Sequence, residues 1–164
     1  MGLLARSDEI GEGSNVLQTH AGGMTTRSVF GLECGIMLAT REGGYHSRPH
    51  RHRSEQLNYI AEGSIWVFCE DEAFLARAGD FYRIPAGAVH WGWNRADEPV
   101  TAFQAYAPVL DPYNRANAVG LLADAEPGPG EYYETERLDG PQEREYLDRE
   151  DDMLAAGVER LRGA

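Results

Sequence analysis

Apolar and polar positions alternate with a period of two through the middle of the chain and lose that order at both ends. Leu32, Cys34, Ile36 and Leu38 alternate with Glu33, Gly35 and Met37. Successive side chains of an extended segment point to opposite faces, so this spacing predicts a strand with one face buried. Short apolar runs follow, from Leu57 to Ile60, Ser64 to Cys69, Ala73 to Leu75, Phe81 to Ile84, Val89 to Trp93 and Val100 to Tyr106. Turn residues separate them: Glu62-Gly63, Glu70-Asp71, Ala78-Gly79-Asp80 and Pro85-Ala86-Gly87. Many short strands with no helical stretch between them predict an all-β sandwich or barrel. Residues 1–27 are polar and Gly-rich, and read as an N-terminal arm with at most a short edge strand. The β domain is expected over 28–108.

Residues 109–164 follow a different pattern. The stretch DAEPGPGEYY at 124–133 reads as a linker, and Pro141 is suited to the first position of a helix. Leu147, Leu154, Val158 and Leu161 then fall on one helical stripe, which predicts a C-terminal helix docked by that stripe with its polar face in water. Residues 131–164 hold 11 Asp plus Glu against 5 Arg, a balance of −6, half of the chain's −12. A surface this acidic repels phosphate backbones and anionic lipid, so neither nucleic acid nor membrane is an expected partner. All 15 basic residues are Arg, which excludes any mechanism that needs a lysyl amine. Cys34 and Cys69 are too few for a disulfide framework. No apolar run approaches the roughly 18 residues of a membrane span. A cytoplasmic location is the expectation.

The residues that carry chemistry lie in the β domain. In an extended strand His50 and His52 present two imidazoles on one face, and Gln56 continues the parity unless a turn at Arg53 to Glu55 resets it. His90 follows a Pro-x-Gly turn on another strand. Three imidazoles and an amide oxygen converging in a barrel make a site for one first-row divalent cation, with positions left open to water or substrate.

The spacing carries a resemblance. Gly44-YHSRP-His50-Arg51-His52-RSE-Gln56-LNYIAE-Gly63 resembles the first motif of the cupin superfamily at every position but one, a Gln where the family usually has Glu. Gly79-DFYRI-Pro85-Ala86-Gly87-AV-His90-WGW-Asn94 resembles the second motif throughout. The resemblance implies a double-stranded β-helix, a jelly-roll-like barrel, followed here by the C-terminal helical tail. It implies a metal ligated by His50, His52, Gln56 and His90, with Zn, Fe, Mn and Ni not distinguished, and a homodimer. Glu55 is the rival fourth ligand, and if it is not a ligand it is a candidate general base. Four neutral ligands would leave the full charge on the cation and strengthen it as a Lewis acid.

Other residues complete the expectations. Gln104 and Tyr106 share parity on a late strand that borders the cavity in cupins, and are candidate substrate contacts, Tyr106 a catalytic one. Tyr82 is one of several aromatic residues suited to line a pocket. Among Arg48, Arg51, Arg53 and Arg83, one or two are candidates to grip a substrate carboxylate, Arg83 first. His46 reads as a rim residue.

Cupins carry many chemistries, so the fold does not fix the function. The first expectation is an enzyme using the metal as a Lewis acid to isomerise or cyclise a small enolisable or carboxylate-bearing metabolite. Its competitor is a non-haem Fe(II) dioxygenase. A non-catalytic module that binds a small ligand is the reading from another class.

Overall fold

The computed structural model describes residues 4–14, 19–31, 33–108, 119–120 and 135–163. In chain order the strands are β1 (Gly13–Ser14), β2 (Thr19–Ala21), β3 (Met24–Phe30), β4 (Gly35–Arg41), β5 (His46–Ser47), β6 (His50–Arg51) and β7 (Glu55–Glu62). They continue as β8 (Ser64–Cys69), β9 (Glu72–Arg77), β10 (Phe81–Ile84), β11 (His90–Trp93), β12 (Val100–Ala107), β13 (Val119–Gly120) and β14 (Glu136–Arg137), followed by helices α1 (Gly140–Leu147) and α2 (Glu150–Gly163). The six short apolar runs all become strands. β3 begins at Met24, inside the stretch expected to be an arm. The linker expected at 124–133 lies outside the described residues.

The strands form two sheets. The first runs β1-β3-β4-β12-β7-β10, with β13 added parallel to β3. The second runs β14-β6-β11-β5-β2, with β8 also on β11 and β9 on β8. Ile60, Ile84, Val100 and Ala102 of the first sheet pack against Ile65, Val67 and Ala76 of the second, filling one end of the space between the sheets. The other end keeps a cavity, walled by Met24, Met37 and Tyr45.

Turn chemistry holds the two motifs together. Gly63 has φ +75°, and a Cβ there would lie 2.6 Å from the Pro99 carbonyl oxygen, so the β7–β8 hairpin tolerates only glycine. Gly87 has φ +80°, and its N–H donates to the His52 carbonyl at 2.8 Å. The turn that launches β11 is thereby tied to the segment that carries His52.

β4 faces the opposite way from the sequence expectation. Met37 and Ala39 are buried inside, whereas Ile36 is 49% exposed and Cys34 is exposed. Leu32 lies outside the described residues. Both faces of this strand are apolar, so periodicity alone could not choose between them. The cross-strand register decides, by placing Met37 opposite Gln104 on the cavity side. Ile36 then joins Leu57, Phe103 and Phe81 as exposed apolar residues on the outer face of the first sheet.

The tail forms two helices and not one, and its buried stripe differs from the predicted one. Leu138, Met153 and Leu154 pack with Trp66, Phe68, Val89 and Trp91 on the outer side of the second sheet, with Val158 at the margin. Leu161 is 38% exposed. The chain breaks at Asp148–Arg149 between α1 and α2, and this rotates the stripe toward Met153. Phe68 and Trp91 stack at 4.9 Å with their planes 3° apart, a geometry that adds about 0.5–1.5 kcal/mol beyond burial. Gly157 permits the close approach: a Cβ there would lie 2.7 Å from the Ala73 carbonyl oxygen. Among the described residues, no helix is long and apolar enough to cross a membrane.

Candidate metal centre

Strand register assembles the centre. β11 runs antiparallel to β6 with His90 directly opposite His50, so two imidazoles separated by 40 positions in the chain meet with ring centroids 4.3 Å apart. His52 leaves the strand after Arg51 and brings its ring to 4.8 Å from His90 and 6.3 Å from His50. Gln56 opens the inward-facing set of β7, continued by Asn58 and Ile60. Tyr106 lies opposite Gln56, and Gln104 opposite Asn58, on β12.

Each imidazole is held by its Nδ1. His50 Nδ1 meets the Arg48 carbonyl at 2.8 Å, His52 Nδ1 the Ser54 carbonyl at 2.8 Å, and His90 Nδ1 the Ala88 carbonyl at 3.0 Å. A carbonyl only accepts, so every Nδ1 carries the proton and every neutral ring is left with a bare Nε2 lone pair. Burial keeps the rings neutral. It pushes the His50 imidazole down to about 4, lowers His52, and lowers His90 well below the ordinary range, helped by the other two imidazoles.

Two observations test whether these residues suit a cation. His90 Nε2 is buried with no hydrogen-bond partner, a cost that a Lewis acid would relieve. His52 Nε2 and Gln56 Oε1 face each other at 3.1 Å, both as acceptors once Nδ1 holds the ring's proton. Two lone pairs at this range repel unless a positive charge lies between them, and about 3 Å is the spacing of donors that share one cation at roughly 2.1 Å each. A buried imine nitrogen without a partner, on a ring anchored through Nδ1, is the kind of donor a divalent cation takes. The rings are not drawn to a single point, and among the described residues no three His, Cys, Asp or Glu side chains form a metal-holding group. The donors fit a cation in kind and tautomer.

An amide chain sets the polarity of Gln56. Its Nε2 donates to Asn58 Oδ1 at 2.6 Å, Gln104 Nε2 donates to the same oxygen at 3.0 Å, and the Tyr106 hydroxyl donates to Gln104 Oε1 at 3.1 Å. With its N–H side committed to Asn58, Gln56 turns its oxygen toward His52. The geometry thus brings Gln56 and not Glu55 to the imidazoles. Asn58 was not anticipated; its inward parity two residues after Gln56 was the available signal.

The remaining expected residues divide between cavity and surface. Gln104, Tyr106 and Tyr82 line the cavity, and burial raises both phenols above their ordinary range, so they stay protonated. Glu55 and Arg83 do not reach it. They point outward from β7 and β10 and pair with each other, Arg83 Nε to Glu55 Oε2 at 2.7 Å, which corrects their expected roles as base and substrate contact. The physical reason is strand parity: Gln56 and Ile84 take the inward positions, so their neighbours face out. Arg51 likewise pairs outside with Glu136 of β14. Arg48 lies 3.8 Å from Glu143 of α1.

His46 faces the tail and not the cavity. It stacks on Trp93 at 4.7 Å and bonds Glu150 of α2 at 2.8 Å, and the same carboxylate oxygen accepts from the Trp91 indole. Trp66, Phe68 and Trp91 are therefore core under the helices. Tyr59, Phe81 and Phe103 belong to the outer face.

Sequence reasoning missed Arg41 and Tyr45. Arg41 ends β4 with an inward side chain only 9% exposed, and its guanidinium carbon lies 5.6 Å from the centroid of the Tyr45 ring. Both line the cavity, which is open to solvent on one side.

Comparisons with known proteins agree with this architecture. The family model for the cupin domain matches residues 37–106. No curated protein matches the chain. Among solved structures, an RmlC-like cupin from Shewanella frigidimarina superposes with TM-score 0.55 at 17% identity, covering 66% of this chain and 92% of that one. A structure described as a sugar phosphate isomerase from a cupin superfamily, from Silicibacter pomeroyi, gives 0.54 at 21% identity, covering 63% and 74%. A predicted oxalate decarboxylase from Thermotoga maritima gives 0.57 at 15% identity, covering 65% and 99%. At these identities the likeness is one of fold. The family match and the two curled sheets together mark residues 37–106 as a cupin-type domain.

Proposed function

We propose that this protein is a metal-dependent cupin enzyme that isomerises or cyclises a small enolisable or carboxylate-bearing metabolite. The observation that carries the reading is a cluster of three neutral imidazoles beside the cavity, each anchored through Nδ1, with an amide oxygen turned toward them. A divalent cation held by His50, His52, Gln56 and His90 supplies Lewis acidity and, with four neutral donors, keeps its full charge. The protein's own groups orient and exclude. Tyr82, which burial holds in its protonated form, is suited to donate a hydrogen bond to an oxyanion developing on the substrate. Tyr106 directs its proton to Gln104 and so offers the cavity its oxygen lone pairs and ring. Met24, Met37, Ile65 and Val67 exclude water from one wall. Among the described lining residues there is no carboxylate, so a general base of the Glu55 type has no place in this mechanism.

The test is reconstitution. Protein loaded separately with Zn, Mn, Ni and, without oxygen, Fe(II) is expected to turn over a carboxylate-bearing substrate without consuming O2, and His50→Ala to abolish turnover while the barrel stays folded. Stoichiometric O2 uptake with the Fe(II) protein would transfer the site to the dioxygenase reading. A ligand that binds and is never transformed with any metal would make it a binding module.

A further inference from the structure

We propose that Arg41 is the anion-recognition residue of the cavity and that the ligand it takes is a small oxyanion, a carboxylate or phosphate. The inference rests on the metal reading above for the chemistry it serves, and on the charge of the cavity for its own argument.

The described cavity wall presents His50 and His90, Ser47, two glutamines, three tyrosines, apolar side chains and one guanidinium, with no Asp or Glu among the described lining residues. Arg41 is nine-tenths buried, and among the described residues no ion pair joins it to a carboxylate, whereas Arg27, Arg48, Arg51, Arg83 and Arg149 each have one. Its one recorded partner is the face of Tyr45. In a chain with 27 acids, a guanidinium that borders a cavity without a carboxylate partner is left to pair with an anion the cavity takes in.

Its position matches that role. The register places Arg41 opposite Met24 and Val100, at the end of β4 that reaches the cavity wall. It shares the cavity wall with His50, His90, Tyr82 and Tyr106. A cation held by four neutral donors would add two further positive charges beside it, so the loaded cavity is strongly electropositive inside an acidic protein. The planar fork of Arg fits two oxygens of a carboxylate or phosphate at once. A ligand with an oxyanion at one end can satisfy Arg41 and leave its other oxygens for the metal centre.

Lactate, malonate and inorganic phosphate are suitable probes, with lactamide as the neutral control. Each is titrated calorimetrically, and by the shift of the thermal midpoint, into metal-loaded and metal-free protein, for wild type, Arg41→Gln and Arg41→Lys. The expected result is that the anions bind the wild type and lactamide does not, that Arg41→Gln weakens anion binding about tenfold or more, and that its metal affinity is unchanged or higher. Arg41→Lys, which keeps the charge and loses the fork, should fall between. Carboxylates binding more tightly than phosphate, or the reverse, tells the two oxyanions apart. If Arg41→Gln does not fold, Arg41→Lys and the wild-type comparison of lactate with lactamide still decide. The inference is overturned if the wild type binds lactamide as well as lactate, or if anion affinity is the same in all three proteins. Anion binding that depends on Arg41 in a protein that takes up no metal would sustain this inference and remove the metal reading.

Discussion

Gly157→Ala gives a sharp test of how the tail is seated, because two physical effects of opposite sign act on the same methyl group. In an exposed helix interior the change stabilises by about 0.8–1 kcal/mol, since alanine loses less backbone freedom than glycine. At Gly157 the added Cβ would lie 2.7 Å from the Ala73 carbonyl oxygen and 2.8 Å from Trp66 Cζ3. The first neighbour is backbone of β9 and the second belongs to a ring that is only 8% exposed, so neither can move cheaply. Overpacking of this kind costs about 1–3 kcal/mol. The net expectation is destabilisation of up to about 2 kcal/mol, a fall in thermal midpoint of at most roughly 4–8 °C for a chain of this size. Ala156→Gly, on the exposed side of the same helix, should also destabilise, by about 1 kcal/mol from propensity alone. Urea and thermal unfolding of both variants suffice. Stabilisation by Gly157→Ala would mean that α2 does not sit on the β8–β9 hairpin, and the contacts of Glu150 with His46 and Trp91 would fall with it.

Other predictions bear on the site and the surface. Asn58→Leu frees the Gln56 amide to turn its N–H side toward the imidazoles and should weaken metal binding about 10–100-fold, as loss of an orienting partner does. Asn58→Asp, which keeps the acceptor, should retain most of the affinity, and equal affinity for wild type and Asn58→Leu in a competition assay would refute the orienting role. Metal-free protein should lose stability as pH falls from about 6.5 toward 4. The unfolded histidines take up protons near 6.5 and buried His50 only near 4, so a urea midpoint that does not move across that window contradicts the burial of the triad. Burial, with Glu70 and Glu72 nearby, pushes the Cys69 thiol up to about 11, whereas Cys34 is exposed. A maleimide at neutral pH should therefore label one thiol quickly and the second far more slowly. The homodimer is proposed to form through the outer face of the first sheet, where Phe81 is 80% exposed and the rim carries the Arg83–Glu55 pair. A rim with both signs of charge allows an isologous pairing to match Arg with Glu. Phe81→Asp should shift the species seen by light scattering to monomer, and a wild type that is already monomeric removes the proposal.

The strands, their turns and the imidazole and amide groups proposed as donors were legible in the chain itself, because each depends on local spacing. A two-residue period, a Pro-x-Gly turn and the HxH pair read the same in any tertiary setting. What spacing could not settle was which side of a strand faces in when both sides are apolar. β4 shows this: its expected buried face turned out to be the exposed one, because pairing with β12 set Met37 against Gln104. The same logic moved Glu55 and Arg83 to the surface and Gln56 inward. Asn58 lies far in sequence from Gln104 and Tyr106, and only the β7–β12 register joins them in one hydrogen-bonded chain that ends at Gln56. Arg41 carried no motif at all. Its meaning comes from burial without a partner carboxylate, a property of three-dimensional packing that no periodicity records. The sequence by itself determined which local elements form and which donors are available, because these follow from neighbours along the chain. The tertiary structure decided which of those groups share a cavity and which charges are left unbalanced there, because burial and pairing are set by neighbours across strands.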